Sequence, residues 1–444
     1  MNADFESQPH VVIVGGGFAG IAAARGLRKS NVRVTLIDRN PYSTFQPLLY
    51  QVATSTLNPG DVTYFLRAVR RGQDNLRVEL GSVESMDHTE QTITLDDGRS
   101  LRYDYLVIGT GVSANFFGIP GAEEHSLPLY TRQEAIDVRD RLNGLLDAAT
   151  KRAGEKVRIM IVGGGPTGVE TAGAIAEMKQ KDLPVLYPEL DPDTLEIMLV
   201  DMADKVLGAF SESSSTYTAD ELRKRGVNVH LSQSVKEVKA DGVLLKATDG
   251  SEAEEWMPAA AVLWASGVSV PSSVSKWNVP QVRGGRIPVS DRLRVNDLPN
   301  VFAVGDVAAI NDGPLPQLAQ PAKQTGTHVA KVIDGLVEGG GDPGPFKYKD
   351  LGILATIGRA DAVAEVAGIP NLKGFTAWMI WNSVHIATLM GGRNRLSSMV
   401  NLGTKYLLWG RSHNLIVGDI SDFSKNARTG PLSAAKSMKR HHHK

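Results

Sequence analysis

Short β-branched runs closed by glycine recur along this chain, and two of them continue in the same way. Residues 11–14 run apolar into Gly15-Gly16-Gly17-Phe18-Ala19-Gly20, an Ala-rich stretch follows, and the next β-branched stretch, 32–37, ends at Asp38. Residues 156–162 lead into Gly163-Gly164-Gly165-Pro166-Thr167-Gly168, an Ala-rich stretch again follows, and the run 197–200 ends at Asp201. Each series predicts strand, glycine turn, helix, strand and closing acid. Asp201 lies farther beyond its glycines than the roughly 20 residues usual for such a unit. Residues 179–194, which contain prolines and acids, account for the excess as an insertion between helix and strand. Residues 78–80, 92–95 and 105–108 read as further strands, with turns at Gly109-Thr110-Gly111 and Pro120-Gly121. The second series closes near 261–267, and residues 301–304 followed by Gly305-Asp306 read as a strand returning to the first module. From Phe346 onward this alternation stops, and aromatic, basic and apolar residues mix over 375–411 before a polar, basic tail.

The glycines have a chemical reading. Gly15, Gly17 and Gly20 permit a tight turn, close approach of a pyrophosphate and close packing of helix on strand, while the helix N-terminus faces the negative charge. Gly163, Gly165 and Gly168 repeat the device. Asp38 and Asp201 stand where an acid accepts hydrogen bonds from ribose hydroxyls. Two dinucleotides are expected, a flavin beside a nicotinamide nucleotide. Asp201 discriminates further, since a carboxylate accepts the 2'-hydroxyl of NADH and repels a 2'-phosphate unless a nearby arginine neutralises it. The strand is followed by Met202-Ala203-Asp204, with Lys205 the one cation close enough to offset the acid. The predicted fold is α/β, with two Rossmann-like dinucleotide-binding domains, the NAD domain inserted in the FAD domain. The expected boundaries are 1–115 for the first part of the FAD domain, 116–290 for the NADH domain, and 291–345 for the second FAD part. Residues 346–444 form a C-terminal region for membrane association and dimerisation.

Composition narrows the chemistry. A net charge of -1 gives no general attraction for nucleic acid, which is excluded as a partner. The 444 residues include no cysteine, which removes disulfides, thiolate metal sites and electron transfer through a protein dithiol. The N-terminus has no basic-then-apolar leader, so a cytosolic origin is expected. No uncharged apolar run reaches the roughly 18 to 20 residues that span a bilayer. The longest candidate, 375–390, is interrupted by Asn382, Ser383 and His385. His385 has no second ligand at metal spacing, and His441 to His443 resemble a solvated tail, so no metal is expected.

The stretch Asp38-Arg39-Asn40-Pro41-Tyr42-Ser43-Thr44-Phe45-Gln46-Pro47-Leu48-Leu49-Tyr50-Gln51-Val52-Ala53-Thr54 closely resembles the type II NADH dehydrogenases, single-chain flavoenzymes that pass electrons from NADH to membrane quinone. Tyr103 to Gly111, Gly163 to Glu170, Leu263-Trp264-Ala265-Ser266-Gly267-Val268, Val301 to Asp306, Ala319-Gln320-Pro321-Ala322-Lys323-Gln324 and Gly392-Arg393-Asn394-Arg395-Leu396 extend the resemblance to residues 11–411. Asn296 departs from it, standing where the superfamily often has threonine. The resemblance implies FAD as cofactor and NADH as substrate. It places Gly305 and Asp306 at the FAD ribityl and pyrophosphate, Thr110 and Gly111 near the adenosine-side diphosphate, and Gln46 to Thr54 around the isoalloxazine. Phe18, Ala19, Arg39, Pro47, Val83, Pro166, Thr167, Ser266, Gly267 and Ala322 complete the expected cofactor-binding set, to which Glu170 and Gln320 also belong.

Three residues are the catalytic candidates. Pro321 suits a first helical turn, so a helix is predicted to start there, its N-terminus aimed to favour negative charge on the flavin. Gln320 and Gln324, at i and i+4, share a face; the resemblance implies that they orient a quinone, while the residues alone also fit a solvated polar stripe. Glu170 is placed on the first turn of the second module's helix, where the helix dipole stabilises a carboxylate by about 0.3 to 1 kcal/mol. Members with this motif carry the Glu near flavin and nicotinamide, which implies positioning or proton traffic.

Trp378, Trp381 and Trp409 lie with Phe375, Met379, Ile380, Leu389, Tyr406, Leu407 and Leu408 among Arg393, Arg395, Lys405 and Arg411. Aromatic rings interleaved with cations suit a helix lying in a membrane interface, and equally one covering a core or a dimer contact. The favoured expectation is an NADH:quinone oxidoreductase that does not pump protons, a homodimer peripheral to the cytoplasmic face of the cell membrane, with menaquinone or ubiquinone as acceptor. The alternatives are a soluble reductase of a ferredoxin-like acceptor and a redox-sensing FAD protein of the apoptosis-inducing-factor kind.

Overall fold

Predominantly apolar runs suit strands covered on both faces, and the parallel strands form there. The computed structural model describes residues 7–152, 154–310 and 315–408, the side chains of Leu407 and Leu408 excepted. Two compact units divide the chain. The first comprises Met1–Thr44, Tyr64–Ser113 and Val268–Leu351; the second comprises Phe45–Thr63, Ala114–Gly267 and Gly352–Lys444. Five helices recur below: α1 (Phe18–Gly26), α2 (Pro166–Glu177), α3 (Ala319–Glu338), α4 (Gly374–Thr388) and α5 (Gly392–Leu408).

The first unit carries a five-stranded parallel sheet in the order Val301–Ala303, Tyr105–Ile108, His10–Val14, Arg33–Asp38, Leu76–Leu80. Val11, Val12 and Ile13 at its centre are fully buried. Val301 pairs with Leu106, so the chain returns to its first sheet after the second module, the nesting expected from the sequence. α1 and α3 pack closely because Gly326 has no side chain: a Cβ there would lie 2.1 Å from the Ala19 carbonyl oxygen.

The second unit repeats the design with the parallel order Leu127–Pro128, Ala261–Trp264, Val157–Val162, Leu195–Val200, Val227–His230. The insertion before Leu195–Val200 is a run of short turns and the helix Leu183–Leu186. A three-stranded antiparallel sheet, Ile353–Gly358, Asp361–Glu365 and Leu372–Lys373, follows where the sequence pattern showed no strands. Its alanines blur the alternation that signals a half-buried strand. α2 lies against it, and a Cβ on Gly173 would sit 2.0 Å from the Ile357 carbonyl oxygen.

α3 begins at Ala319, two residues before Pro321. Proline is tolerated within this first turn because the N–H it lacks has no intrahelical acceptor there.

Candidate active site

The two glycine turns are built alike. Gly15 and Gly163 hold φ of +107° and +114°, where an L side chain is strained. A Cβ on Gly20 or Gly168 would lie 1.9 or 1.8 Å from the carbonyl oxygen of Gly15 or Gly163. Gly17 and Gly165, which cap α1 and α2, have open space where a Cβ would stand, and neither helix start has a side-chain cap. The first-turn N–H groups of each helix are therefore left for an anion.

Each closing acid also ties its strand to the glycine turn. Asp38 accepts the Gly16 N–H on Oδ2 and the Asn40 N–H on Oδ1, both at 2.7 Å. Asp201 accepts the Gly164 N–H on Oδ2 and, at 2.7 Å, the Ala203 N–H on Oδ1. A carboxylate oxygen has a second lone pair, so both acids retain acceptor capacity for a ribose. Lys205, the cation beside Asp201, is paired with Glu212 at 3.4 Å.

In the first unit, Gly305, with φ +71°, comes against Ala19 and Ala322, and its N–H donates to Thr325 Oγ1 at 3.0 Å. Thr325 was not singled out from the sequence, because a threonine inside a helix carries no signal of a partner 20 residues earlier. Burial pushes the Asp306 carboxyl up to about 6 against the opposing charge of Arg286. Thr110 Oγ1 is buried without a hydrogen-bond partner, and Gly111 follows with φ +68°. Phe18 opens α1, Val83 is buried and Arg39 is exposed. Gln320 lies in the first turn of α3. Gln324 is engaged: its Nε2 donates to the Lys349 carbonyl at 2.9 Å and its Oε1 accepts the Lys349 N–H at 3.0 Å.

In the second unit, Gln46 and Pro47 lie in a 3₁₀ turn, and Gln46 Oε1 is buried without a partner. Thr54 is buried and donates to the Tyr50 carbonyl at 2.9 Å. Pro166 and Thr167 open α2; Ser266 and Gly267 follow the strand Ala261–Trp264. The orphaned Thr110 and Gln46 oxygens and the open helix starts suit nucleotide cofactors rich in donors and phosphate.

Glu170 is the fifth residue of α2 and is buried. Its Oε1 accepts the Trp381 indole N–H at 3.0 Å and the Thr356 N–H at 3.3 Å. Burial raises its pKa to about 8 despite these donors. This corrects the expectation of a dipole-stabilised carboxylate on the first turn: lost hydration outweighs the dipole, and the acid stays protonated at neutral pH. Both donors fall on Oε1, which leaves Oε2 to carry the proton. Tyr50 and His385 pack on Trp381, at 6.1 and 4.0 Å between ring centroids.

The C-terminal helices divide the aromatic-basic stretch: Arg393 and Arg395 of α5 are exposed, while two of its members turn inward. Trp381 faces Glu170, and Lys405 binds Thr56 Oγ1 at 2.6 Å and Glu177 at 3.6 Å, so neither belongs to an outward aromatic-basic face. Polar side chains line the inner face of α5: Asn394 donates to the Thr63 carbonyl at 2.5 Å, Ser397 to Asp61 Oδ1 at 2.6 Å, and Asn401 to Asp61 Oδ2 at 2.7 Å. Leu396, Met399 and Val400 point outward, 61%, 47% and 53% exposed, with Phe375 and Met379 of α4 also exposed. Trp409, Arg411 and the terminal histidines lie outside the described residues. Among the described residues, no helix is long and apolar enough to cross a membrane, and no group of three His, Cys, Asp or Glu is placed to hold a metal.

Two dinucleotide turns on nested parallel sheets define a class. Residues 9–326 match the pyridine nucleotide-disulphide oxidoreductase family, although this chain has no cysteine for the disulfide of that name. Residues 351–412 match the NDH2 C-terminal domain. The type II NADH:quinone oxidoreductase NdhA of Mycobacterium tuberculosis is 34% identical over 89% of this chain and 87% of its own length. The type II NADH:quinone oxidoreductase Ndh of the same organism is 32% identical over 89% of this chain and 88% of its own length. A structure of NDH2 from Plasmodium falciparum in complex with NADH superposes with a TM-score of 0.84, covering 91% of this chain and 99% of that one at 21% identity. The sulfide:quinone oxidoreductase of Aquifex aeolicus shares the fold at a TM-score of 0.72, 21% identity, and coverage of 93% and 99%. The chain belongs to the type II NADH:quinone oxidoreductase family.

Proposed function

We propose that this chain oxidises NADH bound at the second glycine turn, uses FAD held at the first, and delivers electrons to a membrane quinone without pumping protons. The observation that carries the reading is the doubled turn: one chain presents two open helix starts, each beside an acid placed for a ribose. Bound FAD supplies the chemistry that accepts an electron pair from the nicotinamide and releases it to quinone. Gly15, Gly17 and Gly20 hold the pyrophosphate, Asp38 takes the ribose hydroxyls, and Gly305, Asp306 and Thr110 supply polar contacts. Gly163, Gly165, Gly168 and Asp201 do the same for NADH. Gln320 orients the quinone, and Gln324 positions the backbone at Lys349 beside it.

Glu170 keeps a proton on Oε2 at neutral pH and serves as a proton donor, with Trp381 and Thr356 fixing Oε1. The exposed Leu396, Met399 and Val400 of α5, flanked by the exposed Arg393 and Arg395, support peripheral attachment to the membrane, which the proposal sets at the cytoplasmic face. The inner face of α5 is already satisfied by Asp61, and each outward Leu, Met or Val buried in lipid contributes about 1.5 to 3 kcal/mol. A homodimer formed through the same C-terminal region is part of the proposal, checked by light scattering.

Steady-state NADH oxidation by the flavin-loaded protein is expected with menaquinone or ubiquinone analogues. Turnover with a ferredoxin-like protein and none with quinone would overturn the reading in favour of a soluble reductase.

A further inference from the structure

Phe117 of the second unit is a large apolar side chain that stands 59% exposed. Its neighbours point the other way: Phe116 packs on Trp264 at 5.6 Å between ring centroids, and Phe116 and Ile119 both cover the core. The backbone that turns Phe117 outward is strained. The Ile119 N–H donates to the Phe116 carbonyl at 2.9 Å and closes a four-residue turn whose central residues, Phe117 and Gly118, have φ of +53° and +67°. Such a turn favours asparagine or glycine at its first central position, so phenylalanine is held there against its own preference.

The turn is also fixed from outside. The Phe117 N–H donates to Asn115 Oδ1 at 2.8 Å, the Trp264 indole N–H to the Asn115 carbonyl at 2.8 Å, and the Asn115 N–H to the Gly267 carbonyl at 3.2 Å. The tip of the ring takes the place of the side chain that Gly267 lacks, since a Cβ there would lie 2.1 Å from Phe117 Cζ. Ring and turn are thus tied to the end of the strand Ala261–Trp264. Backbone strain kept for a side chain that the core does not use points to a function for that side chain.

The order of the sheet decides which part of a dinucleotide meets this ring. Val157–Val162, which leads into the glycine turn, lies between Leu195–Val200, which ends at Asp201, and Ala261–Trp264, which leads to Ser266 and Gly267. A pyrophosphate at the turn, with its adenosine ribose at Asp201, sends the nicotinamide half over the opposite neighbour. The turn abuts that strand end, because a Cβ on Gly163 would lie 2.6 Å from the Ala265 carbonyl oxygen. A phenyl ring offers a flat apolar contact to nicotinamide and attracts the ring charge of NAD⁺.

We propose that Phe117 is a substrate-binding residue: its ring is the surface against which the nicotinamide half of the dinucleotide is held. The strained turn sets the ring in place before the substrate arrives, which lowers the entropy lost on binding. The inference rests on NADH binding at the second glycine turn.

The test is calorimetric titration of the flavin-loaded full chain with NAD⁺ and with ADP-ribose, which keeps the adenosine and pyrophosphate and lacks the nicotinamide. Phe117→Asn puts asparagine where the turn prefers it, so this variant should keep its flavin and melt no lower than wild type. It should bind NAD⁺ about tenfold more weakly and ADP-ribose within about twofold of wild type. Phe117→Gly, equally suited to the turn, should repeat the loss, and Phe117→Tyr, which keeps the ring, should match wild type with both ligands. Equal weakening of ADP-ribose and NAD⁺ would make Phe117 a structural residue, and unchanged NAD⁺ affinity would leave the ring no part in binding; either result overturns the proposal. Wild type that binds neither ligand would overturn the placement of NADH at the second turn, and this inference with it.

Discussion

The two glycine turns share one backbone solution, and the helices that leave them do not share a purpose. α1 goes into the first unit with only small or apolar side chains buried, Ala19, Ile21, Ala23 and Ala24, and it meets α3 through Gly326. α2 carries Glu170 into the interior, where Trp381 and Thr356 wait for it. Binding a dinucleotide needs the turn and the helix start, and both copies keep them. The buried acid stands where the copies diverge.

The most disruptive way to test this comparison is to fill the turns separately. Gly20→Ala puts a Cβ against the Gly15 carbonyl and should strip the flavin; Gly168→Ala should keep the flavin and raise the NADH KM by about two orders of magnitude. Flavin absorbance and steady-state kinetics read the two losses, and flavin loss in both variants would mean that the turns are not independent.

Glu170→Gln should retain flavin and lower kcat by about 10² to 10⁴ if the acid delivers a proton. Wild-type turnover in flavin-replete protein would reduce Glu170 to packing. The same variant has a stability signature. A carboxyl whose folded pKa is about 8, above the unfolded 4.5, binds its proton more tightly in the folded state. The folded state therefore loses relative stability as pH rises from 4.5 to 8, with no further loss above. Glutamine keeps the neutral shape without titrating, so the melting temperature should fall less over that window in Glu170→Gln than in wild type. Trp381→Phe removes one donor from Oε1, the group that favours the anion, and should move the Glu170-dependent limb of the kcat profile to higher pH.

Smaller effects are expected farther from the divergence. Leu396→Ser/Met399→Ser/Val400→Ser should reduce vesicle flotation about tenfold or more while sparing NADH oxidation with a water-soluble quinone. Equal flotation would place the attachment elsewhere. Glu212→Gln releases Lys205 beside Asp201 and should raise NADPH efficiency only about two- to threefold, since an exposed pair is weakly coupled.

The sequence was informative wherever partners are neighbours. Gly15, Gly20 and Asp38 act on one another through a local strand-turn-helix path, so spacing alone located them. Glu170 and Trp381 are 211 residues apart, and no periodicity announces that an indole will meet a buried acid. The tryptophan instead read as part of an interfacial stretch. α5 was legible only in part: Arg393 and Arg395 are exposed, whereas Lys405 turns in to Thr56 and Asp61, about 340 residues upstream of Asn401, draws the Ser397 and Asn401 side chains inward. Pro321 marked the right helix but not its first residue, because proline is tolerated at more than one place in an opening turn.

The central claim is that electrons entering at the second turn leave to a quinone. Anaerobic stopped-flow tests it most directly, by mixing the flavin-loaded protein first with NADH and then with menaquinone or ubiquinone analogues. Rapid bleaching of the flavin absorbance by NADH, followed by its return on adding quinone at a rate at least equal to kcat, is the expected result. A bleached NAD complex that persists in the presence of quinone would contradict the account and point to a redox sensor.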